Sequence, residues 1–432
     1  MSTTRAGGLV GRTDPDHRGF GALLLGRRRA AGLSRAELSR RARVSESTLK
    51  RIEHTDRPPS LRSLLRLVRV RALGLSWGEA ANAARAPRPR DDEDAASLRI
   101  RLAPGFDWLR LLHERDEQLR GAGGHLRPGA LCLDPVSAAD RCAFLRGCPE
   151  EAARRTALPL PALARRIGQA LGPRPLQAVL LGIGDGTIAV RLAQGLLAEI
   201  AAPRLELCLC DASLPLLCAA LRRATAVLPG PPRLHLDAVA GQPDPLGCWL
   251  PSEPLGRRDR AARLFALLDG ALADLDEEAR FLRYGLPGAA PGDLLLLDFE
   301  AAAPGARSDE TLLLAQPTPG PLPGPLVDWL AGLILRARRD VIDIRWHTEP
   351  EPHTALPASH ALSVVATVRC RDRRGLRDRR FVLYQRKRYD PEALAACLER
   401  WGWQRLLQLR YGPGQRGVAL LCRRAAPARV VT

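Results

Sequence analysis

The sequence predicts two folds in one chain: an all-α bundle at the N-terminus, then an α/β doubly wound domain that carries a smaller α+β subdomain. Three observations support this prediction. Most of the net positive charge lies in the first ninety residues, where apolar residues recur at helical spacing. A glycine-rich turn at 182–186 separates a strand-like segment from a helical one, and strand-like and helical segments alternate after it.

The composition predicts a protein with two or three domains. A chain of 432 residues with 46% hydrophobic residues is long enough for several cores. It contains no apolar run of membrane-spanning length, and its N-terminus lacks the apolar region of a signal peptide, so we expect a cytoplasmic protein. The ten cysteines form no C-x-x-C pair, and we expect them to be buried free thiols.

The net charge of +19 is unevenly distributed along the chain. Residues 1–90 contain twenty Lys and Arg against seven Asp and Glu, a net charge of +13, which leaves +6 for the other 342 residues. A basic block of this kind on a small N-terminal domain predicts nucleic acid as the partner.

The basic block contains predicted short helices at residues 20–32, 34–42, 45–53, 60–73 and 76–84. Ser34 with Glu37 has capping-box spacing, Ser45 stands at an N-cap position, and Gly32 and Gly74 follow the ends of two helices. The apolar residues that can share one core are Leu38, Ala42, Val44, Leu49, Ile52, Leu61, Leu64, Leu65 and Val68. The block therefore predicts a compact helical bundle.

The tract from Gly32 to Val68, "GLSRAELSRRARVSESTLKRIEHTDRPPSLRSLLRLV", resembles the Xre/Cro-repressor type of helix-turn-helix domain. The resemblance implies that helix Arg35 to Ala42 is followed by a helix, Glu46 to Glu53, that enters the major groove of double-stranded DNA. The family's turn glycine is Arg43 here, so we expect a non-glycine residue in the left-handed conformation.

The resemblance also implies which side chains contact DNA. Near the N-terminus of the third helix, Glu46, Ser47 and Lys50 are expected at base edges, since they lie opposite its apolar face. Arg35 and Arg51 are expected at phosphates, where they set register without reading sequence. Dimers are common among such proteins, so a homodimer is a possible state. The alternative interpretation is a bundle that makes only protein contacts.

Two irregular stretches divide the rest of the chain. "ARAPRPRDDEDAAS", residues 84–97, combines prolines with charge and predicts a solvated linker after a DNA-binding domain at 1–83. "AQPTPGPLPGPL", residues 315–326, lies between predicted strands and helices and is interpreted as a long loop within a domain.

The glycine-rich turn links a strand at 177–181 to a helix that begins near Thr187. It contains three glycines, Gly182, Gly184 and Gly186. The next two strands are predicted to end in acids, at Asp211 and Asp237. Nucleotide-binding α/β domains have this layout: a strand, a glycine-rich turn and a helix are followed by a second strand that ends in an acidic residue.

The G-x-G-x-G spacing and the two acids resemble the class I S-adenosylmethionine-dependent methyltransferases, whose core is Rossmann-like. The resemblance implies S-adenosylmethionine as cofactor, with the glycine turn at its amino-acid part. It also implies that Asp211 holds the ribose hydroxyls and Asp237 the adenine amino group. A predicted helix from Asp390 to Trp401, followed by two strands, matches the closing antiparallel hairpin of that fold.

The layout after the linker is similar to that of the histidine-specific methyltransferase family. In that family a substrate subdomain lies partly before the core and partly as an insertion after strand five. The resemblance implies that residues 98–172 form the helical first part of the substrate subdomain and that residues 173–300 form the methyltransferase-like core. It also implies that residues 301–388 are the inserted part of the substrate subdomain, and that residues 389–432 form a C-terminal helix and an antiparallel hairpin that complete the core.

Some positions depart from that subfamily. The family has an acidic residue just before the glycine turn, where this sequence has Leu181. It has an Asn where this sequence has Asp274, and a substrate-recognising Glu where this sequence has Tyr384. The catalytic residue is therefore left unknown, with Asp269, Asp274 and Tyr384 as candidates by location only. No motif for amino methylation or cytosine methylation of DNA is present in the sequence.

One further pattern, "WHTEPEPH", alternates His347, Glu349, Glu351 and His353. Its prolines favour a loop over a strand, and we predict no metal site there.

Two functions follow from the sequence. The first is a sequence-specific DNA-binding transcriptional regulator whose methyltransferase-like domain binds S-adenosylmethionine or a small amino-acid-like ligand. The second is an active methyltransferase for a small amino acid or amine, histidine-like, with an attached DNA-binding domain.

Overall fold

A computed structural model describes residues 20–54, 63, 66–67, 70–75, 100–103, 105–200, 205–229, 233–242, 261–286, 289–302, 322–351, 356–372 and 375–426. The chain divides into two compact units, Met1–Ala95 and Ala96–Thr432, and each is described by itself.

The described residues of the N-terminal unit include helices α1 (Phe20–Ala30), α2 (Arg35–Ala42) and α3 (Glu46–His54), and a 3-10 turn at Arg71–Leu73. Its buried apolar residues include Leu24, Leu38, Leu49, Ile52 and Leu67. Most of the predicted helices at 60–73 and 76–84 lies outside the described residues. The same is true of Leu61, Leu64, Leu65 and Val68 and of the predicted linker.

The caps of α2 and α3 have the predicted geometry. Ser34 Oγ accepts the backbone N–H of Glu37 at 3.0 Å, and Ser45 Oγ accepts that of Thr48 at 3.2 Å. Arg43 adopts φ 51° and ψ 42°, the left-handed conformation expected at the turn, and its N–H donates to the carbonyl of Ser39. The turn keeps its geometry although it lacks glycine, at a cost in backbone strain.

The second unit is built on one twelve-stranded sheet. Its strands are β1 (Ile100–Leu102), β2 (Gly123–His125), β3 (Leu176–Leu181), β4 (Leu205–Asp211), β5 (Leu234–Ala240), β6 (Ala262–Leu267), β7 (Leu294–Ala301), β8 (Val341–Glu351), β9 (Ser359–Asp372), β10 (Gly375–Tyr389), β11 (Trp403–Tyr411) and β12 (Gly417–Arg424). All six residues of β3 are buried, as expected for a central strand of a parallel sheet.

Where the structure describes this unit, its helices are α4 (Trp108–Arg120), α5 (Pro135–Gly147), α6 (Pro149–Ala157), α7 (Leu160–Leu171), α8 (Thr187–Glu199), α9 (Leu214–Val227), α10 (Gly324–Ala337) and α11 (Pro391–Arg400). One helical turn, Glu278–Arg280, continues into a π-helical turn, Phe281–Gly285.

The strand order defines a doubly wound α/β core. Strands β5, β4, β3, β6 and β7 are neighbours in that order and run parallel, so the order reverses at β3. Strand β12 pairs antiparallel with β7, and β11 pairs with β12, which forms the predicted closing hairpin. The α/β fold class predicted from the sequence is therefore confirmed.

The inserted subdomain is α+β, as predicted. Strands β8, β9 and β10 are antiparallel and share a core with α5 and α10, in which Phe144, Trp329 and Phe381 are buried. The segment before the core is mainly helical, but it also supplies two short strands. Strand β1 extends the sheet beside β5, and β2 pairs with β10.

Two expectations about strands are wrong. Strand β5 does not end at Asp237 but continues to Ala240, since Ala238, Val239 and Ala240 are fully buried and continue the ladder with β4. "WHTEPEPH" was expected to form a loop, yet β8 extends to Glu351. Among the described strands it pairs only with β9, so it lies at an edge of the described sheet, where proline is tolerated. His353 lies outside the described residues.

Candidate functional site

The outer face of α3 is polar and exposed. Glu46, Ser47, Lys50 and Arg51 are exposed, whereas Leu49 and Ile52 are buried against the bundle. The helix therefore presents the predicted set of side chains to solvent, in the arrangement by which a second helix of a helix-turn-helix can enter a DNA groove.

Arg35 lies in an internal ion-pair network. The Glu53 side chain is fully buried and accepts hydrogen bonds from Arg28 Nε at 2.6 Å and Arg35 Nε at 3.0 Å. Burial opposes ionisation of Glu53, but these hydrogen bonds outweigh it and hold the pKa of Glu53 below its usual value. The structure thus gives Arg35 a packing role that the sequence pattern did not indicate.

The three glycines of the turn all have left-handed backbones, with φ of 64° at Gly182, 56° at Gly184 and 76° at Gly186. A Cβ on Gly182 would lie 2.6 Å from the Cβ of Ala271, and one on Gly186 would lie 2.5 Å from that of Ala220. A Cβ on Gly184 would clash with nothing, since the nearest neighbouring atom, Asp269 Oδ2, would lie 3.7 Å from it. Two glycines therefore allow close packing, and the third leaves space for a ligand.

Asp211 ends β4 and is bonded to the glycine turn. Its Oδ2 accepts the N–H of Gly184 at 3.0 Å and its Oδ1 accepts that of Ser213 at 2.8 Å. Burial raises the pKa of Asp211 to about 6, outweighing these two hydrogen bonds. The structure therefore places this acid beside the glycine turn, at the strand end where the sequence pattern predicts it.

Asp237 lies elsewhere. It is the fourth of seven residues in β5, three before the strand end, and its carboxylate pairs with Arg101 Nη2 at 2.6 Å. At the strand end itself, the N–H of Gly241 donates to the carbonyl of Asp211 at 3.0 Å, and Gln242 follows. The expected position of Asp237 at the carboxyl edge of the sheet is therefore wrong.

Arg155 of α6 bridges two loops at this edge. Its guanidinium lies 2.6 Å from Asp185 Oδ1, within the glycine turn, and 3.0 Å from Asp269 Oδ1, after β6. Burial opposes ionisation of Asp185, but Arg155 outweighs it and lowers the pKa of that carboxyl. The turn therefore holds both a carboxylate pair that suits an ammonium group and a guanidinium that suits a carboxylate.

The neighbouring Arg154, also in α6, connects these loops to β7. It lies 3.1 Å from Asp298 Oδ2, a buried carboxylate that also accepts the Asp269 N–H at 2.9 Å and the Tyr411 hydroxyl. Sequence reasoning missed both arginines, because nothing in the pattern of α6 distinguishes them from ordinary surface arginines.

Arg141, Asp274 and Tyr384 form a cluster of side chains near Asp211. Arg141 Nη2 is 3.5 Å from Asp274 Oδ2, and its guanidinium lies 5.4 Å above the centre of the Trp329 ring. Tyr384 meets the same ring edge-on, with centroids 6.1 Å apart. Burial raises the pKa of Asp274.

A second space opens at the same sheet edge. A cavity of about 380 Å³ lies between α4 and the end of β5, and its lining includes Phe106, Arg127, Gly129 and Gln242. Gly129 packs against Ala212, the residue after Asp211.

The alternating His and Glu residues of β8 form surface pairs. His347 Nε2 lies 2.8 Å from Glu349 Oε1, and Glu349 also contacts Arg380. In the described part of the chain, no group of three or more His, Cys, Asp and Glu side chains could hold a metal ion. No described helix is long and apolar enough to cross a membrane.

The fold and these sites define a helix-turn-helix unit joined to a doubly wound α/β unit with a glycine turn at its carboxyl edge. A family model described as a helix-turn-helix domain matches residues 20–88. A search of curated proteins gives no match.

Solved structures, several of them described as methyltransferases, are similar to this chain. DesVI from Streptomyces venezuelae is 14% identical, with 68% of this chain and 99% of that chain covered and a TM-score of 0.34. The glycopeptide N-methyltransferase MtfA with S-adenosylhomocysteine is 18% identical, with 62% and 87% covered and a TM-score of 0.32. The 1,6-didemethyltoxoflavin-N1-methyltransferase of Burkholderia thailandensis is 12% identical, with 68% and 88% covered and a TM-score of 0.32. The fold class rests on the strand order described above.

Proposed function

We propose that this protein is a sequence-specific DNA-binding transcriptional regulator whose α/β unit binds S-adenosylmethionine or a small amino-acid-like ligand. The observation that carries the proposal is that one chain contains both units. The first is a helix-turn-helix unit with an exposed polar helix, α3, and the second has a glycine turn that is hydrogen-bonded to Asp211.

The DNA-binding half is proposed to act as in Xre/Cro-type repressors. Glu46, Ser47 and Lys50 would contact base edges in the major groove, and Arg51 would contact a phosphate. A homodimer would place two such helices on a two-fold operator. The exposure of these side chains, with the apolar side of α3 buried, supports this assignment.

The residues at the glycine turn fit S-adenosylmethionine. The open space above Gly184 admits a ligand backbone, and the Asp185 and Asp269 carboxylates suit its ammonium group. Arg155 suits its carboxylate, and Asp211 retains acceptor lone pairs for ribose hydroxyls. When bound, the cofactor would supply an electrophilic methyl group.

The cluster of Arg141, Asp274 and Tyr384 supports the second candidate, methyl transfer to an amino acid or amine. Asp274 would hold or deprotonate an ammonium group, Arg141 would bind a carboxylate, and Trp329 would contact an apolar or aromatic side chain. Tyr384 stands where the histidine-specific family has Glu, so an imidazole N–H would lose its carboxylate partner, a cost of about 1–3 kcal/mol.

Two measurements on the full chain test these functions. Isothermal titration with S-adenosylmethionine tests binding, and a labelled-methyl assay with histidine and related amines tests transfer. Binding without transfer supports the regulator, and transfer supports the enzyme. No binding of S-adenosylmethionine would contradict both cofactor assignments. For the DNA half, selection from a random duplex library is expected to enrich one sequence, and Ser47→Ala is expected to alter it.

A further inference from the structure

A cleft of about 280 Å³ lies between α6 and the turn at 412–416, which precedes β12. The turn packs closely on the helix, since a Cβ on Gly412 would lie 3.6 Å from the Cα of Arg154. The charged side chains that line the cleft are Glu150, Arg154, Glu300, Arg386 and Arg416. Its other described lining residues are one proline and two glycines, so the cleft suits a small charged ligand better than an apolar one. We call it the α6 cleft.

Three of these charged side chains are held by ion pairs. Arg386 Nε lies 2.6 Å from Glu300 Oε2, and Arg388 Nε lies 3.0 Å from Glu300 Oε1. Arg154 Nη1 lies 3.1 Å from Asp298 Oδ2. All three lining residues are partly buried. This part of the lining is therefore neutralised by the chain itself and fixed in position.

The other two charged side chains, Glu150 and Arg416, are exposed and carry opposite charges. Within the described part of the chain, neither side chain has an ion pair or a hydrogen bond, with the other or with any third residue. Glu150 belongs to α6 and Arg416 follows the turn, so they come from the two sides of the cleft. The cleft therefore offers one free carboxylate and one free guanidinium to a ligand.

We propose that the α6 cleft binds a small polar amino acid as a zwitterion, with its ammonium group at Glu150 and its carboxylate at Arg416. An ammonium group donates to a carboxylate, and a guanidinium binds a carboxylate in a bidentate manner. A ligand with only negative charge would be repelled by Glu150, and one with only positive charge by Arg416. The site goes beyond the proposed function, because neither the glycine turn nor Asp274 is among the described lining residues.

The test is a titration of the full chain with glycine, L-serine and L-glutamine, followed by saturation-transfer NMR. Acetate and methylammonium serve as ligands with a single charge. The variants are Glu150→Gln and Arg416→Gln, each of which removes one charge and keeps a side chain of similar length. Their controls, Glu399→Gln and Arg222→Gln, make the same changes at exposed residues of α11 and α9.

At least one of the three amino acids is expected to bind, and each cleft variant should weaken its binding about ten-fold or more, because one charged partner is lost. The controls should bind like the unmodified chain. Binding of none of the three, or equal binding in the cleft variants and the unmodified chain, would overturn the proposal. So would acetate or methylammonium that binds as tightly as the amino acids, since the site would then take a simple ion.

Asp274→Asn separates this site from the histidine-like site proposed at Arg141, Asp274 and Tyr384. Binding of the small amino acids to the α6 cleft should persist in Asp274→Asn. If Asp274→Asn abolishes their binding and the cleft variants do not, the ligand occupies the Arg141 cluster and only the α6 cleft is refuted. The titration uses no S-adenosylmethionine and no DNA, so failure of either proposed activity leaves its result interpretable.

Discussion

The backbone N–H of Gly184 donates to Asp211 Oδ2 at 3.0 Å, so the glycine turn and the acid of the next strand form one unit. Any ligand that enters above Gly184 therefore meets a carboxylate whose protonation changes near neutral pH. Burial is the main reason for this, since it raises the pKa of Asp211 to about 6.

We expect S-adenosylmethionine to bind more weakly as the pH falls from about 7.5 to 5.5. Above its pKa, Asp211 would accept hydrogen bonds from the ribose hydroxyls, and below it the protonated carboxyl would lose part of that capacity. Isothermal titration across this range measures the effect. Asp211→Asn should bind about ten-fold more weakly and lose this pH dependence, whereas Glu206→Gln, at the other end of β4, should behave like the unmodified protein. A pH-independent affinity would contradict the role of Asp211.

The glycines of the turn should respond differently to alanine. Gly184→Ala incurs only the cost of a left-handed backbone, about 1–2 kcal/mol, but its methyl group enters the ligand space. Gly186→Ala incurs the same cost and a clash with Ala220, about 1–3 kcal/mol more. Thermal unfolding should therefore show the larger destabilisation for Gly186→Ala. Titration of Gly184→Ala should show no cofactor binding in a folded protein, and normal binding would argue against a ligand above this residue.

Alanine substitutions of Arg35 and Arg51 should distinguish a residue that stabilises the N-terminal unit from one that contacts DNA. Arg35→Ala removes one of two guanidinium partners of the buried Glu53 and should lower the stability of the N-terminal unit by about 1–3 kcal/mol. Arg51→Ala changes an exposed side chain, so the unfolding temperature should stay constant while the salt slope of DNA binding falls by about one. Circular dichroism melts and fluorescence anisotropy measure the two effects. Equal melting temperatures for both variants would be inconsistent with the Glu53 network.

Asp274→Asn tests the cluster of Arg141, Asp274 and Tyr384. Because Asp274 is the carboxylate that pairs with Arg141, its removal should abolish binding of an amino-acid ligand while leaving S-adenosylmethionine binding unchanged. Competition titrations with histidine and related amines measure this. A parallel failure to bind both ligands would mean that Asp274 supports the fold and does not contact a ligand.

The sequence predicted those parts of the site that depend on local order. The glycine turn follows a buried strand, and Asp211 follows the next one, so their positions could be inferred from alternation alone. The sequence pattern misplaces Asp237 because a charged residue after an apolar run predicts the end of a strand, whereas β5 continues to Ala240. Its pairing with Arg101 of β1, which lies far away in sequence, makes that position possible.

The arginines of the site could not be predicted. Arg141, Arg154 and Arg155 reach the carboxylates only because α5 and α6 pack over the edge of the sheet, and such long-range contacts have no signature in a single sequence. Arg35 is a similar case, since its partner Glu53 lies on the next helix.

The most direct test of the central claim is the affinity of the full chain for its selected operator, measured with and without saturating S-adenosylmethionine. If the α/β unit is the sensor of a regulator, the two affinities should differ by about five-fold or more, and operator DNA should change the affinity for S-adenosylmethionine by the same factor. Equal operator affinities in the presence and absence of a ligand that does bind would contradict the account.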